Sequence, residues 1–319
     1  MRKTFRELKE LLLDGRAGRF MLFGALLVVT DSAFYKRCGC DKEAVEAVAN
    51  GTLVLAGRTY NFETGAGVPG VQLTLDGLTN DYAVTTGADG AFSLSGVEPG
   101  DYRVKTWLSD FDERVKDLTL TTSSTSFNIP LAPIHHDALD IADTWVSLDE
   151  PIGNYSDMPY FLVGRKTGPG SSEQAFLTIE LPEDAPTDAN IHRARMVGYA
   201  FTSSSTPIFD PDAAMYLCRV VEDFDPALIN WTTKPDVVED ALGSRLSIEG
   251  SGPWKMTFDV KPVLEAYRST NPAARSFGVN WVNESPAVAK IGSTECGDPS
   301  CAGALTGTVD WSGNPPDFP

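Results

Sequence analysis

Hydrophobic and polar residues alternate in short runs separated by turns over residues 51–133. Val71, Leu73 and Leu75 fall on one face of such a run, as in a strand with one buried side. The other inward candidates are Phe92, Leu94, Val97, Tyr102 and Val104. Asp89-Gly90 lies between two alternating runs, which is a hairpin signal, and Pro99-Gly100 marks the next turn. The pattern predicts a small antiparallel β-sandwich.

A longer strand-rich region covers residues 138–311. Its strand-like runs include AFLTIEL, AAMYLCRVV, WKMTFDV and SFGVNWV. Val260–Ser269 has the one convincing helical pattern, with Val263, Leu264 and Tyr267 on one face. About eight short strands and one helix predict a two-sheet jelly roll. The predicted fold class is therefore all-β, and residues 312–319 form a Pro-rich tail.

Residues 1–45 have the layout of an export signal. Six basic residues in the first 19 positions precede the apolar run Phe20–Val29. A secretory signal has a basic region followed by about 7–15 apolar residues. Asp31 ends the run before the roughly 20 residues that a membrane-spanning helix needs. An amphipathic helix is the alternative, and lipidation at Cys38 or Cys40 stays open. We expect an extracellular or cell-surface prokaryotic protein.

The rest of the chain is strongly acidic. The protein has a net charge of −18, and the positions after residue 45 carry 17 basic and 38 acidic side chains. Such a body repels phosphate backbones, so a nucleic-acid partner is excluded. Three histidines and five cysteines leave little material for a metal or nucleophile centre. We interpret His135 and His136 as part of a solvated linker, because adjacent strand side chains point to opposite faces.

Two strings carry a family resemblance in the first strand-rich region: AGRTYNFETGAGVPGVQLTL and TTGADGAFSLSGVEPGDYRV. Residues 51–133 resemble the carboxypeptidase regulatory-like family, a transthyretin-like β-sandwich. In bacteria such domains are usually non-catalytic spacers or adhesion modules. The resemblance implies a scaffold in which Asp89 and Asp101 serve turns.

A second resemblance covers residues 138–311. It is carried, in order along the chain, by ADTWVS, IGNYSD, ANIHRARMVGYA, FDPALINWTTKP and GPWKMTFDVKPVLEAY. These strings resemble the DNRLRE-type domains, extracellular jelly rolls related to a family of carbohydrate-binding modules. AFLTIEL departs from the pattern because it lacks the Arg of some relatives. The basic residues of this region are scattered, which disfavours an anionic glycan and leaves a neutral glycan or a surface protein as partner.

Aromatic residues supply the candidate ligand site. A sugar can stack on an exposed aromatic ring, although most tryptophans in such a fold are part of the core. Tyr155 and Tyr160 belong to a Gly/Asp/Pro loop and are the best surface candidates. Trp231 is the third predicted ligand-binding residue.

Carboxylates near the start of the second region suggest structural calcium. Asp143, Asp149 and Asp157, with Glu150, surround its first strand and the following loop. Calcium is bound by carboxylate and carbonyl oxygens. A charged turn without an ion is the alternative interpretation.

Cys296 and Cys301 bracket the turn GDPS. A turn of this composition can bring the two side chains together, so we predict a disulfide between them. Cys218 lies in an apolar strand-like run and is interpreted as a buried residue.

The sequence offers no supported catalytic centre. Asp210, Asp212, Glu222, Asp223 and Asp225 are dense enough to suggest a glycosidase pair, but any acidic surface supplies such pairs. No phosphate-binding loop or nucleophile elbow is present. We therefore expect a non-catalytic protein that acts in carbohydrate binding or adhesion. The alternative is a structural subunit of an extracellular filament or surface assembly, in which copies associate through β-strand edges.

Overall fold

The structure is a computed structural model. It describes residues 53–124, 126–164, 173–201, 212, 214–250, 253–283, 289–296 and 303–318. The predicted export signal and the cysteines proposed for lipidation lie outside these residues. Within the described part of the chain, no helix has the length and hydrophobicity needed to cross a lipid bilayer.

Seven strands form the first unit, here called the first sandwich. They are β1 (Leu53–Asn61), β2 (Gln72–Gly77), β3 (Asp81–Thr85), β4 (Ala91–Val97), β5 (Gly100–Trp107), β6 (Val115–Leu120) and β7 (Ser126–Leu131). One sheet has the order β4-β1-β7 and the other has the order β3-β2-β5-β6. β1 pairs antiparallel with β4 and parallel with β7. The alternation predicted these strands because each sheet has one buried face.

The two turns predicted from Asp89-Gly90 and Pro99-Gly100 exist, but neither forms a hairpin. Gly90 has φ +79°, and its N–H donates to the carbonyl oxygen of Gly87 at 2.9 Å. β3 and β4, which flank this turn, belong to different sheets, and so do β4 and β5. The hairpin prediction was therefore wrong. The tight turns carry the chain across the sandwich because β4 finds its partner in β1.

The predicted inward residues fill the first core. Val71, Leu73, Leu75, Val97 and Val104 are fully buried. Phe92, Leu94 and Tyr102 are at most 9% exposed.

Gly57 allows a close approach between strands in this sandwich. A Cβ at this position would lie 1.9 Å from the carbonyl oxygen of Phe127 and 2.6 Å from the ring of Phe92. The absence of a side chain therefore lets the Phe92 ring cover β1.

Ten strands and one helix form the second unit, here called the barrel. The strands are β8 (His135–Ser147), β9 (Tyr160–Val163), β10 (Glu173–Glu180), β11 (Asn190–Phe201), β12 (Met215–Arg219), β13 (Gly243–Glu249), β14 (Trp254–Asp259), β15 (Ser276–Asn283), β16 (Ala289–Gly292) and β17 (Thr306–Ser312). The helix, α1, covers Lys261–Thr270, one residue later than predicted. Val263 and Leu264 are buried on it. The all-β fold class is confirmed.

Strand pairing closes the second unit into a ring. The order is β14-β13-β12-β15-β10-β8-β17-β11, and β11 also pairs with β14. β16 and β9 continue the sheet from β11. β8 pairs with β17 through its first residues and with β10 through its last eight. The predicted jelly roll expected two separate sheets. Here the long β8 instead pairs with β17 on one side and with β10 on the other, so the strands form one continuous sheet. Side chains such as Trp281 and Phe258 fill its interior.

All three histidines of the chain lie where the two units meet. Each faces a carboxylate of the first sandwich: His135 Nε2 is 3.2 Å from Glu63, His136 Nε2 is 3.6 Å from Asp110, and His192 Nε2 is 4.0 Å from Asp112.

The linker interpretation of residues 135 and 136 was therefore wrong. Both belong to β8, and they do point to different partners. The His135 ring stacks on Trp311 at 4.2 Å, whereas His136 Nδ1 is 2.9 Å from Asp310.

The segment after β17 returns to the first sandwich. Arg114 donates hydrogen bonds to the carbonyl oxygens of Pro315 and Pro316 at 3.4 and 3.1 Å. Phe318 is 2% exposed and belongs to the core of the first sandwich, where it stacks on Phe127 at 6.1 Å. Residues 313–318, here called the return segment, are therefore a packed element and not a separate tail. Ser312 itself is the last residue of β17.

Candidate functional site

Two loops of the barrel form the surface that contains most of the predicted ligand residues. Residues 148–159 connect β8 to β9, and residues 221–236 follow β12. Asn154 links them, because its side-chain amide donates to the carbonyl oxygens of Pro226 and Ile229 at 2.7 and 2.6 Å. We call residues 148–159 and 221–236 together the Tyr155 surface.

Tyr155 is held in a fixed orientation on this surface. Its ring stacks on Trp145 with the centroids 3.9 Å apart and an angle of 12°. Its hydroxyl donates to Glu150 Oε2 at 2.5 Å. This hydrogen bond, together with burial, raises the pKa of Tyr155 to about 12. Trp145 is 8% exposed, whereas Tyr155 is half-buried. The core tryptophan thus supports a tyrosine that still reaches solvent.

The surface combines apolar side chains with acidic ones. Leu148, Ile152, Val221 and Leu228 are 52%, 85%, 59% and 75% exposed. Seven carboxylates accompany them: Asp149, Glu150, Asp157, Glu222, Asp223, Asp225 and Asp236. Lys234 is the one basic residue in these two loops. Such a surface repels anions and accepts hydrogen bonds from hydroxyl groups.

The structure places the other two predicted aromatic residues differently. Tyr160 begins β9, and Lys290 Nζ lies 3.6 Å from the centroid of its ring. Lys290 also lies 5.1 Å from the ring of Phe201, and burial lowers its pKa. One face of Tyr160 is therefore occupied by a cation.

Trp231 is only half-exposed. It packs against the cluster formed by Val146, Phe176, Val220 and Ile229, and Lys234 Nζ lies 5.2 Å from its ring. Tyr155 is consequently the best placed of the three predicted ligand residues.

The predicted calcium ligands do not converge. Among the described residues, no three His, Cys, Asp or Glu side chains are placed to hold a metal ion. Asp143 is 5% exposed, and its Oδ2 accepts hydrogen bonds from Thr294 N and Thr294 Oγ1, both at 2.8 Å, and from Ser293 Oγ at 3.2 Å. Burial raises the pKa of Asp143 against the opposing effect of these bonds. Asp149 and Asp157 are exposed on the loop. Asp143 points into a hydrogen-bonded corner of the barrel, apart from the exposed Asp149 and Asp157, so calcium binding by these three residues stays a prediction.

Cys296 takes part in a disulfide. Its predicted partner, Cys301, lies outside the described residues, so the pairing stays a prediction. Cys218 is buried in β12, as expected.

Sequence reasoning missed one aromatic residue of the first sandwich. Trp107 ends β5 and is 58% exposed. The alternation of β5 could have identified it, since Tyr102 and Val104 point inward and residue 107 falls on the opposite face.

Residues 54–132 match the family described as carboxypeptidase regulatory-like domain. The first sandwich is similar to this family. The match covers about a quarter of the chain and agrees with the resemblance found in the sequence. No curated protein matches the chain.

Solved structures with some likeness to the chain include three bacterial proteins. A DUF3823 family protein from Bacteroides ovatus is 17% identical, with 48% of this chain and 66% of that chain covered and a TM-score of 0.23. The major pilin subunit BcpA of Bacillus cereus is 11% identical over 76% of this chain and 59% of its own, with a TM-score of 0.26. A candidate carbohydrate-binding protein from Bacteroides uniformis is 11% identical, with 72% of this chain and 98% of that chain covered and a TM-score of 0.25. The chain thus spans less than two thirds of the first two structures, and scores this low carry no inference.

Proposed function

We propose that this protein is a non-catalytic surface protein that binds a neutral carbohydrate through the Tyr155 surface. The single observation that carries the proposal is the Tyr155 ring, stacked on Trp145 at 3.9 Å and fixed by Glu150 at 2.5 Å. A ring held in this way loses little freedom when a ligand packs on it. The resemblance of residues 138–311 to DNRLRE-type domains, and of the first sandwich to spacer or adhesion modules, supports the same role.

The polar groups around the ring suit a sugar. A pyranose presents apolar C–H groups to an aromatic ring and hydroxyl groups at its edge. Asp149, Glu150 and Asp157 lie in the same loop as Tyr155 and can accept hydrogen bonds from those hydroxyls. Because the two loops carry seven carboxylates and one lysine, an anionic glycan would be repelled.

The same carboxylates do not form a convincing glycosidase pair. Glu222, Asp223 and Asp225 are exposed on a loop, and Glu150 already accepts the hydroxyl of Tyr155. A general acid in a glycosidase needs a buried setting that raises its pKa. We therefore propose a binding role without hydrolysis.

The test is affinity electrophoresis of the full chain in gels that contain soluble neutral glucans, mannans or xylans, together with a glycan array. Tyr155→Ala should weaken binding about tenfold or more, since it removes the ring. Tyr155→Phe is the matched control, because it keeps the ring and loses only the bond to Glu150. Equal binding by the Tyr155→Ala variant and the wild type would refute the role of this surface. Retention on a basic peptide column instead would indicate a protein ligand.

A structural subunit of an extracellular assembly is the second candidate function. The observation that favours it is the return segment. Its Phe318 lies in the core of the first sandwich and stacks on Phe127, nearly 200 positions earlier in the chain. Such a segment can dock into a second copy of the chain instead of its own. Light scattering over a range of protein concentrations tests this. Polymers that disappear in Phe318→Ala support the assembly role, and a monomer at all concentrations contradicts it.

A further inference from the structure

The outer face of the sheet β3-β2-β5-β6 carries an exposed indole. Along β5, Tyr102, Val104 and Thr106 point into the sandwich, and Trp107 lies on the opposite face. Trp107 is 58% exposed and Val115, on β6, is 52% exposed. The described residues of the barrel and the return segment therefore leave more than half of the indole exposed. An exposed tryptophan on a sheet face offers a large, rigid ring on which a ligand can stack.

Strand register shows what surrounds the indole. Gln72 of β2 is directly opposite Trp107, and Thr85 of β3 is opposite Gln72. The next row of outward residues contains Lys105, with Val115 opposite it on β6. The indole therefore lies in a row with an amide and a hydroxyl group, both of which can bond to a ligand that crosses the strands.

Both cations on the outward face of β5 are paired with carboxylates. Lys105 Nζ lies 2.6 Å from Asp76, and Arg103 Nε lies 2.8 Å from Asp117. Neither pair is buried. The two cations nearest to the indole on the sheet are thus neutralised by carboxylates on neighbouring strands. The face offers no free cation cluster to an anionic ligand.

The size of the apolar area indicates the occupant. A stable protein–protein interface buries about 800 Å² on each partner around an apolar centre. Trp107 and Val115 alone provide far less than that, and the remaining side chains of the face are polar or charged. A single exposed ring with neutral hydrogen-bonding neighbours instead matches one or a few sugar units.

We propose that the face around Trp107 is a carbohydrate-binding site for a neutral polysaccharide that lies across the strands. The indole stacks on a sugar ring, and Gln72 and Thr85 bind its hydroxyl groups. This site belongs to the first sandwich, which the sequence suggested to be a spacer. It is independent of the Tyr155 surface and holds even if that surface binds nothing.

The experiment compares the full-length wild type with Trp107→Ala in affinity gels that contain xyloglucan, glucomannan or mixed-linkage β-glucan, and in pull-downs with cellulose and chitin. Leu78→Ala is the matched control. Leu78 is 97% exposed in the turn between β2 and β3, and its substitution also removes an exposed apolar side chain. Trp107→Phe keeps an aromatic ring. Tyr155→Ala separates the two proposed sites. Since Trp107 and Leu78 are exposed, we expect the variants at these two positions to unfold at the wild-type temperature.

We expect Trp107→Ala to weaken retention by at least about tenfold on one of these polysaccharides. Leu78→Ala should have no effect, and Trp107→Phe should recover part of the binding. Tyr155→Ala should leave the contribution of Trp107 intact. Equal retention of Trp107→Ala and wild type, or no retention of the wild type on any of the five materials, overturns the proposal. A change in self-association without a change in retention also overturns it, in favour of a protein contact.

Discussion

Replacing Phe318 with alanine tests whether the return segment is part of the first core. The side chain is 2% exposed and stacks on Phe127 with the ring centroids 6.1 Å apart. Lys116 Nζ and Arg114 Cζ lie 5.4 and 6.0 Å from its ring centroid. The residue is therefore enclosed by an aromatic ring and two cationic side chains of the first sandwich.

The size of the effect follows from the buried area. A buried phenylalanine removes about 150–250 Å² from water, which at about 25 cal/mol/Å² corresponds to roughly 4–6 kcal/mol. Alanine retains part of this area, and the released segment regains conformational freedom. We therefore expect a loss of about 3 kcal/mol, at the lower end of the range for Phe→Ala substitutions in cores. For a unit of this size the unfolding temperature should fall by about 10–20 °C.

Differential scanning calorimetry is the appropriate assay, because it can separate the transitions of the sandwich and the barrel. Only the transition of the first sandwich should move, since Phe318 contributes to that core alone. Asp317→Ala is the control: its side chain is 89% exposed and makes only a 3.6 Å ion pair with Arg114, which is worth less than about 0.5 kcal/mol. A shift below about 2 °C in Phe318→Ala would refute the reasoning, because the area calculation predicts several times more.

Two further predictions concern titratable groups of the barrel. The hydrogen bond with Asp310 raises the pKa of His136 above 6.5. Burial alone would raise the pKa of Asp310, but bonds from His136 and Arg193 lower it below 3.8. The contribution of protonated His136 to the free energy of unfolding is complete below about pH 6.5 and is lost as the pH rises through its raised pKa. The contribution of ionised Asp310 is lost in acid, as the pH falls through its lowered pKa. The melting temperature of the wild type should therefore fall between pH 6 and pH 9, and that of His136→Gln should fall less. The same change of melting temperature with pH in both proteins would contradict this. Asp143→Ala should cost about 1–3 kcal/mol in denaturant unfolding, because Ser293 Oγ and the two donors of Thr294 lose their buried acceptor. Asp143→Asn keeps an oxygen and should cost less, and equal losses in the two variants would exclude this explanation.

Local pattern was sufficient to predict most of the strands and the helix. Val71, Leu73 and Leu75 alternate with polar residues, and all three are fully buried. The helix was predicted within one residue because Val263, Leu264 and Tyr267 share a face. Short strands such as β9 and β16, with four residues each, have too few positions to show a period and were not predicted.

Strand partners could not be predicted from the same pattern. An Asp-Gly turn has the same local geometry whether it joins two paired strands or crosses between sheets. The pairing of β4 with β1 depends on contacts more than 30 residues apart, such as Gly57 opposite Phe92.

The candidate site shows the same limit. Tyr155, Tyr160 and Trp231 are similar in sequence context, and only their three-dimensional neighbours Trp145, Lys290 and the Val146 cluster distinguish them.

The contacts between the two units also bear on how binding would work. Histidine–carboxylate pairs connect the barrel to the first sandwich, and Phe318 of the return segment reaches back into the first core. The two proposed binding faces, one around Trp107 and one around Tyr155, therefore belong to units that are linked by more than a peptide connection. A polysaccharide long enough to reach both would bind the second face as an intramolecular event, so two weak contacts would give a much stronger combined one. Short oligosaccharides would gain nothing from this linkage. A strong dependence of affinity on chain length would therefore show that one polysaccharide spans both faces, and equal affinity for short and long chains would show that each face binds separately.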